Sequence, residues 1–267
     1  MKCKLLLLTI FFAAICSGAS LVNAADPRLE WISSQELQQK IRSTPLANTR
    51  SHVYLLSRAS SSSLNWLSYK EYSVLWQKNQ NGGYANLYRG MSALNFYNSQ
   101  YTPWTKPTLS NVRLAKIRGD AGKSLLKASI QLPDSDVAQL ACGYFMWQYG
   151  GNMGRGLSII KQVEQRNPKL PSVHATLGLI YGNQSGNAYN LAKAEQEYLE
   201  AIRLDSNYAA PRSSLVFFYL DYVDRDVNKA YKQYKVWLSL LPPHLLRDPG
   251  VLQLQKTMRN ALSRQKS

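Results

Sequence analysis

The chain has 267 residues, 45% of them hydrophobic and 18% charged, with 32 Lys and Arg against 16 Asp and Glu for a formal net charge of +16. This apolar content excludes an intrinsically disordered chain, and three cysteines are too few for a disulfide-stapled scaffold. The positive excess favours anionic contacts: envelope polymers, lipid head groups, nucleic acid or an acidic protein.

Residues 1–24 read as an export signal. Met1, Lys2 and Lys4 make a short basic start, residues 5–15 are apolar, and small and polar residues run to Val22-Asn23-Ala24. Cleavage is expected after Ala24, with the periplasm or the medium as the destination. The apolar run is shorter than the roughly 20 residues that span a bilayer, and Ile15 is bulkier than the residue that precedes a lipid-modified cysteine. Loss of the signal removes Cys3, Cys16, Lys2 and Lys4, which leaves Cys142 as the one thiol and 30 basic against 16 acidic residues. Stability is then expected from apolar burial alone.

Residues 25–130 are expected to form a less regular helical N-terminal region. The apolar spacing predicts helices over 28–41, 64–78, 84–97 and 109–130, with breaks at 57–63 and 79–83. The stretch carries 14 basic against 5 acidic residues, while 131–267 carries 16 against 11. Arg113, Lys116, Lys123 and Lys127 make a basic stripe on its last helix. That helix also places Ala121, Leu125 and Ala128 at core spacing, so 84–97 and 109–130 are expected to pair across an enlarged loop.

From residue 131 onward the chain repeats itself. Turns recur at Pro133, Pro168, Ser206 and Pro242, separated by 35, 38 and 36 residues. Each interval holds two amphipathic stretches. One unit has Leu140, Gly143 and Trp147, then Leu157, Ile160 and Val163. The next has Val173, Leu177, Ile180 and Tyr181, then Leu191, Ala194, Tyr198, Ala201 and Ile202. The third has Leu215, Phe218 and Tyr219, then Ala230, Tyr234 and Trp237. Residues 250–264 are expected to form a capping helix, with Leu252, Met258 and Leu262 over the last hairpin.

The run Thr176-Leu177-Gly178, Tyr181, Ala194, Tyr198, Ala201 and Leu204-Asp205-Ser206-Asn207-Tyr208-Ala209 resembles a tetratricopeptide repeat, and the similarity extends in degenerate form over 136–243. Ser206 replaces the usual turn proline, Val216 stands where Gly178 stood, and Trp237 where Ala201 did. The resemblance implies an all-α chain: a right-handed solenoid of antiparallel hairpins over 131–267, whose first helices line a concave groove for a protein or peptide partner. The groove positions it implies are Tyr144, Trp147 and Gln148, then Leu179 and Asn183, then Phe217 and Asp221. The family's carboxylate clamp is not expected, because its positions hold Leu140, Ala175, Ser213, Leu179 and Phe217. A binder of an anionic polymer through the basic N-terminal half is the alternative.

Catalytic patterns are weak. Gly122-Lys123-Ser124 ends like a phosphate loop, but Ile117 stands where that loop needs glycine. Ser124-x-x-Lys127 and Ser158-x-x-Lys161 match a serine–lysine pair without its Lys-Thr-Gly companion. His52, His174 and His244 are scattered and read as surface or turn residues, and Glu195, Glu197 and Glu200 as a solvated face. No enzyme activity, metal or cofactor is expected.

Overall fold

A computed structural model describes residues 32–58, 62–79, 82–100, 107–183, 185–186, 188–221, 226–241, 246–247 and 249–266. The expected export signal, the start of the helix expected over 28–41, His244 and Pro242 lie outside the described residues. Within them the chain is all-helical, and no strand is present among the described residues. Helices α1 (Ser34–Ser43), α2 (Thr49–Arg58), α3 (Ser62–Lys78), α4 (Gly83–Ser99) and α5 (Asn111–Gln131) come first. Then follow α6 (Asp136–Gln148), α7 (Met153–Arg166), α8 (Pro171–Tyr181), α9 (Leu191–Leu204), α10 (Ala209–Asp221), α11 (Val227–Leu240) and α12 (Pro249–Lys266).

Polar residues start these helices by accepting the first free amides. Ser33, Ser110, Ser135, Asn152, Asn190 and Asp226 each bond the amide three residues on. Pro171 opens α8 without loss, since the first turn has no use for its missing N–H. Gly151 takes φ 68° in the turn between α6 and α7, a conformation that favours glycine.

The helices pack in chain order. α4 lies along α5, α6 along α7, α8 along α9 and α10 along α11, and each pair touches the next. The first helices of successive pairs, α8 and α10, also meet directly. Small residues set how closely the pairs approach. A Cβ on Gly156 of α7 would fall 2.5 Å from both the Gly143 oxygen and the Trp147 nitrogen of α6. A Cβ on Gly178 of α8 would strike the Tyr198 ring of α9 at 2.6 Å, and one on Gly90 of α4 would strike Leu125 of α5 at 2.7 Å. Gly122 seats the Phe145 ring of α6 in the same way.

One hydrophobic core runs from Ile32 to Met258 and continues across residue 130, where α6 packs on α5. Cys142 is buried in it, and burial pushes its thiol pKa up. The cap follows expectation in part: Met258 of α12 faces the core and Leu262 is half-buried, whereas Leu252 is exposed and Val251 and Leu254 complete the inward face. α2 is a helix that the apolar spacing does not predict.

Candidate functional site

Four of the seven expected groove positions are spent on packing. Tyr144, Trp147, Leu179 and Phe217 are all buried, so none presents a surface to a ligand in this structure. α8 is buried over its whole length, Pro171 to Tyr181. Gly186, in the loop after α8, lies over Trp147: a Cβ there would be 3.7 Å from its ring. Tyr149 meets Tyr97 (5.7 Å, 83°) and Tyr144 (6.4 Å, 81°) edge-to-face and Phe145 at a tilt of 38°, an aromatic seam between α6 and α4. The Tyr149 hydroxyl donates to Asn98 Oδ1 at 2.6 Å, and burial holds its pKa far above the ordinary value.

The polar members of the expected groove fall at helix ends. Gln148 ends α6 and is half-buried, Asp221 ends α10 and is exposed, and Asn183 follows α8. Asn183 Oδ1 accepts from the Ser185 amide at 3.0 Å and its carbonyl from Gly186 at 2.9 Å, which uses the side chain to shape the loop.

The basic stripe, by contrast, lies open. Arg113, Lys116 and Lys123 are exposed on α5, and Lys127 is half-buried beside them. Lys116 lies 3.8 Å from Asp120, an exposed pairing of small energetic weight. The same face carries apolar groups that sequence reasoning passed over: Val112 is 80% exposed, Ile130 71% and Leu126 44%. Gly119 sits among them with open space where a Cβ would stand. Val112, Lys116, Gly119, Lys123, Leu126 and Ile130 follow one another at steps of 4, 3, 4, 3 and 4 residues. That rhythm keeps a row of side chains on one line of a helix and is the pattern by which one helix seats another. Over its 21 residues the helix is about 30 Å long at 1.5 Å per residue.

Ser124 and Gly122 of the catalytic motifs are used in packing, whereas Ser158 and Lys161 are exposed on α7. Ser124 is buried, and its hydroxyl accepts from Arg89 Nη1 at 2.8 Å. Arg89 also reaches Asp120 at 3.3 Å and lies 4.2 Å over the Trp76 ring. Gly122 is fixed by Phe145 and carries no loop of free amides.

Two histidines expected at the surface are buried instead. His52 sits among Tyr72 and Tyr88, 2.9 Å from the Tyr72 hydroxyl and 3.2 Å from the Pro45 carbonyl, and burial lowers its pKa against the pull of those backbone bonds. His174 lies 2.8 Å from Glu197 and 2.8 Å from the Pro168 carbonyl. Burial opposes its charge, but the bonds to Glu197 and Pro168 prevail and raise its pKa. Glu164 is held above the usual carboxylate range by burial, with Glu197 adding to the effect. The glutamates of α9 are therefore no simple solvated face: all three are half-buried, with Glu195 accepting from the Tyr219 hydroxyl at 2.7 Å and Glu200 paired with Arg203.

Comparison of the chain with family models, curated proteins and solved structures finds no match.

Proposed function

We propose that this chain is an exported, non-catalytic binding protein of the tetratricopeptide type that docks an acidic helical segment of a partner protein on the outer face of α5. In this reading residues 131–267 form the right-handed stack of hairpins and 25–130 extend it on the N-terminal side. The chain-order pairing of helices and the recurring glycine contacts at Gly90, Gly143 and Gly178 support the stack.

The carrying observation is the exposed row on α5. Apolar groups at Val112, Leu126 and Ile130 would be covered by apolar groups of a second helix, while Arg113, Lys116, Lys123 and Lys127 would meet its acids. Gly119 lets the partner backbone come close. A pure polyanion would make no use of Val112 or Ile130, which favours a protein over a polymer. The groove, filled by Tyr144, Trp147, Leu179 and Phe217, is left to hold the hairpins together.

A labelled synthetic helix with leucines on one line and glutamates beside them tests this by fluorescence anisotropy. Binding is expected to weaken as salt rises, since exposed charges are screened. Lys116→Glu with Lys123→Glu is expected to abolish it, and a lysine-flanked helix is expected not to bind. Equal binding of both helices, or indifference to the substitutions, overturns the proposal. A polyanion that binds while the leucine helix does not would favour the polymer reading.

A further inference from the structure

We propose that Glu164, His174 and Glu197 bind a divalent transition-metal ion, with Zn²⁺ the ion that the donor set fits. The three residues are 10 and 23 positions apart in sequence and come from three successive helices: Glu164 from α7, His174 from α8 and Glu197 from α9. Folding brings one donor atom from each within 4.8 Å of the other two. Around a tetrahedral ion with bonds of about 2.0–2.2 Å such atoms stand about 3.5 Å apart, a spacing that Glu197 reaches by turning outward from its 2.8 Å bond to His174 and Glu164 by rotation of its own side chain.

The histidine is oriented for the task. It is 7% exposed, and its Nε2 lies 2.8 Å from the Pro168 carbonyl in the turn before α8. A carbonyl accepts only an N–H, so Nε2 carries hydrogen and Nδ1 is the nitrogen turned toward the carboxylates, 2.8 Å from Glu197 Oε2. A ligating histidine held by a backbone carbonyl on its other nitrogen is the usual support of a metal site, because it fixes the ring and its tautomer. The ion replaces the hydrogen between Nδ1 and Glu197, and that proton leaves to solvent. Imidazole among the donors selects against Mg²⁺ and Ca²⁺, which take oxygen. Both glutamates are half-buried, which gives the ion a way in and leaves a fourth position for water. Bound there, the ion ties α7 to α8 and α9, and so one helical hairpin to the next.

Tag-free full-length chain, stripped with a chelator and titrated with Zn²⁺ by calorimetry, tests the site. Wild type is expected to bind an ion at a site that Glu164→Gln and His174→Gln each weaken, by at least the ten- to hundredfold typical of losing a supporting group. Its melting temperature is expected to rise with Zn²⁺ and not with Mg²⁺. Because His174 is buried and its replacement endangers the fold, Glu164→Gln at the half-buried carboxyl decides, with helical circular dichroism as the check on folding. Failure of wild type to bind Zn²⁺, or wild-type affinity in a folded Glu164→Gln protein, overturns the proposal. Neither result depends on the α5 surface.

Discussion

Alanine at Gly156 probes how the hairpins are held at their spacing. Its Cβ would lie 2.5 Å from the Gly143 oxygen and the Trp147 nitrogen and 2.8 Å from Trp147 Cβ, where ordinary contact begins at 3.4 Å. Two of the three atoms are backbone of α6 and cannot swing aside, so α7 must retreat by about 0.9 Å, which loosens the packing of Ile160 and Val163. Such overpacking costs about 3 kcal/mol at a site unable to yield. Alanine's better helix propensity returns about 1 kcal/mol. The net loss of about 2 kcal/mol corresponds to a fall of about 4–8 °C in Tm for a chain of this size. Gly119→Ala is the matched control: nothing lies within 4 Å of its Cβ, so the propensity gain stands alone and Tm rises by about 2–4 °C. Calorimetric melting of both variants beside wild type reads the difference. A Gly156→Ala protein as stable as the Gly119→Ala one would refute the close approach of α6 and α7.

Tyr149→Phe removes the hydroxyl that bonds Asn98 and leaves a buried amide oxygen without that donor; a loss of about 1–3 kcal/mol in denaturant unfolding is expected, and an unchanged midpoint would contradict the seam. His52 is buried neutral, with its pKa lowered from the ordinary 6.5, so the folded state resists its protonation. Its contribution is therefore complete above pH 6.5 and is lost as pH falls below that value, with a slope of at most about 1.4 kcal/mol per pH unit. The difference in stability between wild type and His52→Gln, followed from pH 8 to pH 5, is expected to shrink as the solution becomes more acidic; a difference that grows instead would reverse the sign of the argument.

The helices were legible wherever an apolar line repeats every three or four residues. The stretch carrying Val173, Leu177, Ile180 and Tyr181 is α8, and Ala121, Leu125 and Ala128 of α5 are buried as their spacing requires. α2 escaped because its interior includes His52 among Arg50 and Ser51, so polar letters hide a buried face. Its start did carry a signal, since Asn48 Oδ1 accepts from the Ser51 amide three residues on. Periodicity places Trp147 on a helix but does not say which neighbour covers it; that follows from the loop at Gly186 lying over its ring. The meeting of Glu164, His174 and Glu197 had no trace in the spacing, because it depends on how three helices are stacked. The lysines of the α5 row stand out in the sequence, whereas nothing in the spacing tells that Val112, Leu126 and Ile130 are exposed.

A photoreactive residue placed at Gly119 in the producing cells, with Asn183 as the comparison position, tests the docking surface most directly. The expected result is an adduct with a partner protein from Gly119 that Lys116→Glu and Lys123→Glu remove, and none from Asn183. An adduct formed from Asn183 alone would place the binding face in the groove and contradict the account.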